Sequence, residues 1–330
     1  MSTIEVLSPG LLTTVQDLGR EGFGPMGVSP SGAADPIALR IGNRLVKNAE
    51  GAAALEMTLL GGTFAFPEGA IAALTGSDFG ATLDGSAVSL WSSFAAKPGQ
   101  TLRLGPTRSG ARCYLCVQGG IAVEPFLGSA STHLLSGLGG HEGRALKRAD
   151  VLKIGDACET KQKGTDRNAR STGIVHHAHR ARTVGAKALE RLAPRKVLRV
   201  TPGPQNGWFS PPAQKVLYES AYRVSEESNR MGLRLEGPGI PGGAQGEMIS
   251  EGVSLGAIQI AAGGRPIILF VEQQTTGGYA KMANVISGDL SSLGQLRPRD
   301  EIRFELVDFK TARKLLIELE KLLAAKDLIV

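Results

Sequence analysis

A chain of 330 residues with 42% hydrophobic content is long enough for a sizeable core and favours about two domains, and a charged fraction of 21% excludes a disordered polymer. The formal charge of +6 is mostly local to residues 161–199, where Lys161, Lys163, Arg167, Arg170, Arg180 and Arg182 face few acids; without interleaved aromatics to stack bases, the stretch reads as a solvated segment rather than a nucleic-acid surface. Three cysteines exclude a disulfide framework, no apolar run approaches the roughly 18 residues of a membrane helix, and Met1–Gly10 lacks a signal-peptide pattern, so the expected location is the cytoplasm.

In chain order, Ile4–Leu7 alternates like a strand. The polar, Gly-rich stretch from Thr13 to Asp35 follows, with Gln16, Asp17 and Arg20 supplying an amide, a carboxylate and a guanidinium. Arg20 can hold a carboxylate or phosphate through two parallel hydrogen bonds; the alternative is an internal Asp17–Arg20 pair that pins a loop. Asp35-Pro36 is an N-cap followed by proline, and Ile37, Ile41 and Leu45 fall at helical spacing behind it. Ala70–Thr75, Thr101–Leu104 and Ala111–Val117 read as strands. Cys113 and Cys116 lie on the last of these, where odd spacing sends them to opposite faces, and no second C-x-x-C completes a zinc site. The run Gly137–Arg144 lacks the Gly-Lys of a phosphate loop.

Asp156–Arg195 is the best linker, with a short helix within Val184–Leu192. Its His176, His177 and His179 can be a metal site or a solvated run. Beyond it, Val197–Val200 and Ala257–Ile260 read as strands. Between them lies Ser225–Arg234; if extended, Ser228, Arg230 and Gly232 share a face that Arg234 joins, which would let Arg230 and Arg234 clamp an anion. Structural hydrogen bonds are the alternative. The strand Ile267–Val271 runs into a loop, Glu272–Lys281, that gathers Gln274, Thr275, Thr276, Gly277, Gly278, Tyr279 and Lys281. Such loops carry function on a rigid scaffold, and backbone N–H groups near Gly-Gly can bind an anion. Arg230 and this loop are expected to line one anion pocket. Asp308 caps a last helix whose stripe, Ala312, Leu315, Leu316, Leu319, Leu322 and Leu323, is expected to pack on its own domain.

An internal repeat organises the whole. Leu146–Ile154 resembles Leu296–Phe304, each a turn containing an Asp followed by a short strand, and each half carries an apolar strand followed by Gly-Gly. With no regular strand–helix alternation, the expected fold is mainly β: two antiparallel barrels with a few helices, over residues 1–155 and 196–330, joined by the basic linker 156–195.

The same stretches resemble the allophanate hydrolase subunit 2 family, which includes 5-oxoprolinase subunits and part of the urea carboxylase carboxyltransferase domain. The resembling pieces are Ser8–Arg20, Ser31–Pro36, Leu74–Asp78, Gln118–Ile121, Val224–Gly232, Ser250–Val253, Gly256–Gln259 and Gln274–Tyr279. The resemblance implies tandem cyclophilin-like β-barrel domains and a subunit of an ATP-dependent amide or lactam hydrolase. ATP would be used through the complex; no metal site is readable in the sequence itself. The resemblance further implies a KipI-like (allophanate hydrolase subunit 1) partner, a LamB/YcsF-like third protein and a small anionic substrate. The alternatives are a component of biotin-dependent carboxyl transfer and a non-catalytic, KipA-like regulator. The chain departs from the family pattern at Ala122, Ala130 and Glu272-Gln273. Together the polar stretches and the resemblance assign catalytic roles to Asp17, Arg20, Asn229, Arg230, Thr275, Thr276 and Lys281. They assign the ligand to Gln16, Ser228, Arg234, Gln259, Gln274, Gly277, Gly278 and Tyr279.

Overall fold

The alternating pattern of the first half folds into two antiparallel sheets packed face to face. In this computed structural model, which describes residues 2–156, 179–242 and 248–330, one sheet orders Ile121–Ala122, Val151–Ile154, Thr3–Ser8, Thr63–Phe66, Gln100–Arg103, Thr82–Leu83 and Ser86–Ala87. The other orders Leu12–Gln16, Ala54–Thr58, Arg112–Val117, Ala70–Gly76 and Ser92–Ala96. Ile4, Val6, Phe64 and Leu102 from the first meet Leu55, Leu74 and Leu115 from the second in a shared core. Arg112–Val117 is buried along its whole length because helix α1 (Pro36–Leu45) covers its outer face. Cys113 therefore points into the core between the sheets and Cys116 towards α1, as the odd spacing requires. Burial pushes both thiols far up, which removes them as nucleophiles.

The second half closes into a seven-stranded barrel: Val197–Pro202, Lys281–Val285, Ala257–Ile260, Pro266–Leu269, Gly232–Glu236, Tyr222–Val224 and Glu301–Leu306. Its neighbours run antiparallel except at the seam, where Val197–Val200 pairs in parallel with Arg303–Leu306. Helix α3 (Pro211–Glu219) seals the core with Ala213 and Leu217. A short ribbon pairs Glu251–Gly252 with Thr276–Gly277 outside the barrel. The mainly β fold is the one expected, and none of the described helices is long and apolar enough to cross a membrane.

The helices follow their caps. Asp35 Oδ1 accepts from Ala38 N at 3.0 Å at the start of α1. α2 (Ala186–Leu192) lies within the predicted segment, and α4 (Leu290–Gly294) is a single short turn. Asp308 Oδ1 accepts from Thr311 N at 2.6 Å to open α5 (Phe309–Ala324). The stripe on α5 does not stay within the second half, contrary to expectation. Leu323 is buried in the cluster under α1, Leu319 and Leu322 pack beside it, and Arg40 of α1 donates to both carboxylate oxygens of Glu320 at 2.8 and 2.9 Å. The described part of the basic segment is likewise docked rather than free. Val184 bridges to Ile329, Thr183 to Ser92, and Arg182 Nη1 donates to Arg44 O at 2.5 Å, because Val184 and Ala188 are apolar enough to bury. Cys158, His176 and His177 lie outside the described residues.

The repeated Asp turns match atom for atom. Asp150 accepts from Lys147 N at 2.7 Å and Asp300 from Arg297 N at 2.9 Å. The preceding residues, Ala149 and Arg299, both take φ 72°. Their amides donate to Val6 O and Val224 O, which lie on equivalent strands, and Val6 N and Val224 N each donate to the turn Asp carbonyl at 2.9 Å. The Gly-Gly part of the repeat is not shared: Gly119 and Gly120 take φ 96° and 72°, whereas Gly277 is a ribbon residue.

The first turn gives an acid-limb prediction. Hydrogen bonds from Arg144 hold the Asp150 carboxyl down to about 2. A depressed carboxyl contributes stability that is complete above its unfolded value of about 3.9 and is lost as the pH falls through the folded value. Urea unfolding between pH 6 and pH 2 should therefore show a steeper acid loss in the native chain than in Asp150→Asn. Equal slopes would take Asp150 out of the acid limb.

Candidate functional site

The loop after Leu12–Gln16 is held by its own carboxylate. Asp17 accepts from Ser129 Oγ at 2.7 Å, Ser131 Oγ at 2.5 Å, Ala130 N at 2.6 Å and Gly19 N at 2.8 Å. Asp17 is thus a loop pin with its acceptor capacity filled, and its partners are the 129–131 hydroxyls and amides rather than Arg20. Arg20 is buried nearby: its Nη2 donates to Ser131 O at 2.5 Å, its Nε to Phe126 O at 3.3 Å, and its guanidinium lies 5.4 Å from the Phe126 ring centre. Its Nη1 has no partner among the described residues. Burial pulls Arg20 below the ordinary arginine range, opposed by Asp17 and Glu272.

The expected Arg230 pocket does not form. Ser228 Oγ accepts from Arg234 N at 3.0 Å and Asn229 Oδ1 from Met231 N at 2.8 Å, so the segment turns instead of extending. The turn sends Arg234 to solvent and Arg230 into the interior. There Arg230 Nε donates to Glu272 at 2.5 Å, Nη1 pairs with Glu56, and Nη2 donates to Gly32 O at 2.7 Å. Each of the three guanidinium nitrogens is engaged by a buried carboxylate or carbonyl, so Arg230 is anchored in the interior rather than facing a pocket. Ser228 and Asn229 shape this turn.

Arg230 belongs to a lock between the halves. Glu56 Oε2 accepts from Ala34 N at 2.8 Å and from Tyr114 Oη at 2.7 Å, and Glu56 Oε1 lies 3.5 Å from Arg112 Nε. Gln295 Nε2 donates to Asp35 Oδ2 at 2.7 Å, while its Oε1 accepts from Ser77, Ala111 and Arg112. Gly294 is required here, since a Cβ would stand 2.3 Å from Ala34 O. Three buried cations, Arg20, Arg112 and Arg230, face the carboxylates Asp17, Glu56 and Glu272, with Asp35 left over. Burial drives Asp35 upward, which favours its neutral acid.

Two sets of orphaned buried polar atoms remain. Gln16 Oε1, Arg20 Nη1 and Ser29 Oγ form one; Gln259 Nε2 and Gln273 Oε1, beside the buried Lys281 ammonium, form the other, and Arg112 Nε and His179 Nε2, also without a hydrogen-bond partner among the described residues, belong to neither. Each such atom costs about 1–3 kcal/mol unless something completes it, so the sets point to ligand-facing positions. They adjoin through Glu272-Gln273. Glu272 accepts from Leu134 N at 3.2 Å beside the first set, and Gln273 Nε2 reaches Val253 O at 3.4 Å in the second. His133 stands with the first set. Ser136 N donates to its Nδ1 at 3.2 Å, which leaves the proton on Nε2. Burial holds His133 below its ordinary range, with Glu272 opposing and Arg20 and Arg230 reinforcing, so it is a neutral N–H donor near pH 7.

The second set is built on facing barrel strands. Gln259 and Lys281 are register partners at a bulge. Lys281 Nζ forms an ion pair with Glu251, and Gln205 Nε2 donates to the same carboxylate at 2.7 Å while Gln205 Oε1 accepts from Lys281 N at 3.1 Å. Hydrogen bonds from Lys281 and Gln205 hold the half-exposed Glu251 below the usual carboxylate range. Gly277 lies against this set: a Cβ there would stand 2.5 Å from Gln259 Nε2 and 2.9 Å from Gln274 Nε2. Thr275 O accepts from Val253 N at 3.2 Å, which ties the loop to the ribbon; Gln274, Thr276, Gly278 and Tyr279 are exposed on it. A buried ammonium with two amide side chains and a displaceable carboxylate suits a small ligand carrying both an anion and an amide.

Of the residues singled out from sequence, Gln16, Arg20, Gln259, Gln274, Gly277 and Lys281 lie in or against these sets; His133, Gln205 and Glu251, not singled out, lie beside them. A single histidine and a single glutamine in loops carry no local pattern. Glu251 does sit inside the resembling piece Ser250–Val253.

Comparison with known proteins bears on this arrangement. Residues 26–306 match the family described as carboxyltransferase domain, subdomain A and B. The chain is 37% identical over 311 residues to a 5-oxoprolinase subunit of Escherichia coli (strain K12), covering 94% of this chain and 93% of that protein. It is 35% identical to the corresponding 5-oxoprolinase subunit of Haemophilus influenzae, with 94% of each covered. The crystal structure of the Kluyveromyces lactis urea carboxylase superposes with a TM-score of 0.83 at 30% identity, over 99% of this chain but only 30% of that one.

Proposed function

Because the chain belongs to the carboxyltransferase domain family, subdomains A and B, we propose that it is one subunit of an ATP-dependent hydrolase complex that opens 5-oxoproline to glutamate. The observation that carries this reading is end-to-end similarity to the bacterial 5-oxoprolinase subunits, whereas the urea carboxylase is matched over less than a third of its length. A lactam is a resonance-stabilised amide and a poor electrophile. ATP, used by the complex, would convert its oxygen into a better leaving group, and fixed cations and N–H donors would hold the charge that develops. In this chain Lys281 supplies the buried cation of the second set, Gln259 and Gln273 the amides, and Arg20 with His133 the donors of the first. The substrate carboxylate would displace Glu251 from Lys281. No nucleophile and base stand together among the described residues of either set, so the reaction needs the partners: a KipI-like protein and a LamB/YcsF-like protein.

The test is reconstitution. The chain alone should release no glutamate from 5-oxoproline and ATP, and it should co-elute with the KipI-like protein on size exclusion and gain activity when both partners are present. Turnover by the isolated chain, or separate elution of the two proteins at micromolar concentration, would overturn the proposal. The likeness to a urea carboxylase favours carboxyl transfer as the second reading. Bicarbonate-dependent carboxylation with a biotinyl carrier, and no glutamate release with the partners, would select it.

A further inference from the structure

A recess of about 440 Å³ opens where α1, α2, α4 and α5 meet. Its volume falls in the range of about 300–1,000 Å³ typical of small-molecule sites. It shares no residue with either orphan set. Ile37, Trp91, Leu192 and Leu319 give it apolar walls. Arg191 lines it from the last turn of α2 and Arg195 from the exposed segment that follows, and neither forms an ion pair among the described residues. Arg199 also lines it but is spent on Asp289, to which it donates from both Nε and Nη2, and Glu190 offsets one of the two remaining charges. The base is polar: Ser291, Gln295 and Asp35, whose two carboxyl oxygens are already taken by Ala38 N and Gln295 Nε2.

We propose that this recess is a second ligand site, selective for a small organic monoanion with an apolar body, of the aryl- or alkyl-carboxylate class. The carboxylate would sit against Arg191 and Arg195, and the body would lie along Trp91 and Leu319. The two rim guanidiniums of Arg191 and Arg195, opposed by the single Glu190 carboxylate, favour a monoanion over a dianion, and the apolar walls reject a bare inorganic ion. Asp35 and Gln295 also belong to the lock between the halves, so an occupant touches the contacts that hold the two halves together.

The chain has two tryptophans, and Trp208→Phe leaves Trp91 as the sole emitter. Titrating this full-length variant with 4-phenylbutyrate or octanoate should give a saturable change in Trp91 emission and raise the melting temperature. 4-Phenylbutanol and inorganic phosphate should bind at least tenfold more weakly. Adding Arg191→Gln and Arg195→Gln, both at exposed positions, should weaken carboxylate binding at least tenfold with the circular dichroism unchanged. No saturable response to either carboxylate at millimolar concentration, an equal response to the alcohol, or unchanged affinity in the double arginine variant would overturn the site.

Discussion

Arg230→Ala is expected to destabilise the chain by about 3–5 kcal/mol, the range for breaking a buried ion pair from one side. The substitution strips the cation from between Glu56 and Glu272, both almost fully buried, and frees Gly32 O. The two carboxylates must then take up protons or admit water, and either is costly in a closed interior. Arg230→Lys should recover only part of the loss, because a single ammonium cannot reach three acceptors set around a planar fork. Urea unfolding of the isolated chain measures the difference directly. An Arg230→Ala chain that keeps its midpoint while losing ligand affinity would mean that Arg230 faces a ligand after all.

That result separates what local pattern reveals from what it hides. The Asp35 and Asp308 caps, the strands and the paired Asp turns were legible because each depends on residues a few positions apart. The role of Arg230 was not, because its partner Glu56 lies 174 positions away and Glu272 lies 42 away. A lone acid within the buried strand Ala54–Thr58 looks like noise until the second half brings an arginine to it. The same holds for the Gly-Gly loop. Its glycines suggested a nest of backbone amides for an anion, whereas Gly277 serves by having no Cβ to push Gln259 aside. Lys281 stood out in its own loop and Gln259 only within a resembling piece; their pairing was not legible, since register partners on strands 22 positions apart leave no trace in local spacing.

Lys281 is the residue on which activity should depend most. Its side chain is 5% exposed, while that of its carboxylate partner Glu251 is 46% exposed. The asymmetry matters: Glu251 can swing into water at little cost, and the ammonium then remains at the barrel mouth facing Gln259. A substrate anion or a developing oxyanion would meet a positive charge already fixed in place. Lys281→Met keeps the stem that packs in the mouth and removes only the charge. In the reconstituted complex it should lower kcat/KM for 5-oxoproline by about 10²–10³, the loss typical of removing one donor aimed at developing charge. Its melting temperature should stay within a few degrees of the native chain, because the carboxylate left behind can be solvated. Glu251→Gln is the contrasting variant. It removes the competitor for Lys281 and keeps a hydrogen-bonding group, so substrate affinity should hold or improve. If the Lys281→Met chain still assembles with its partners and turns over within threefold of the native rate, the barrel mouth is not where the chemistry happens. The first set, Arg20 with His133, would then be the place to look.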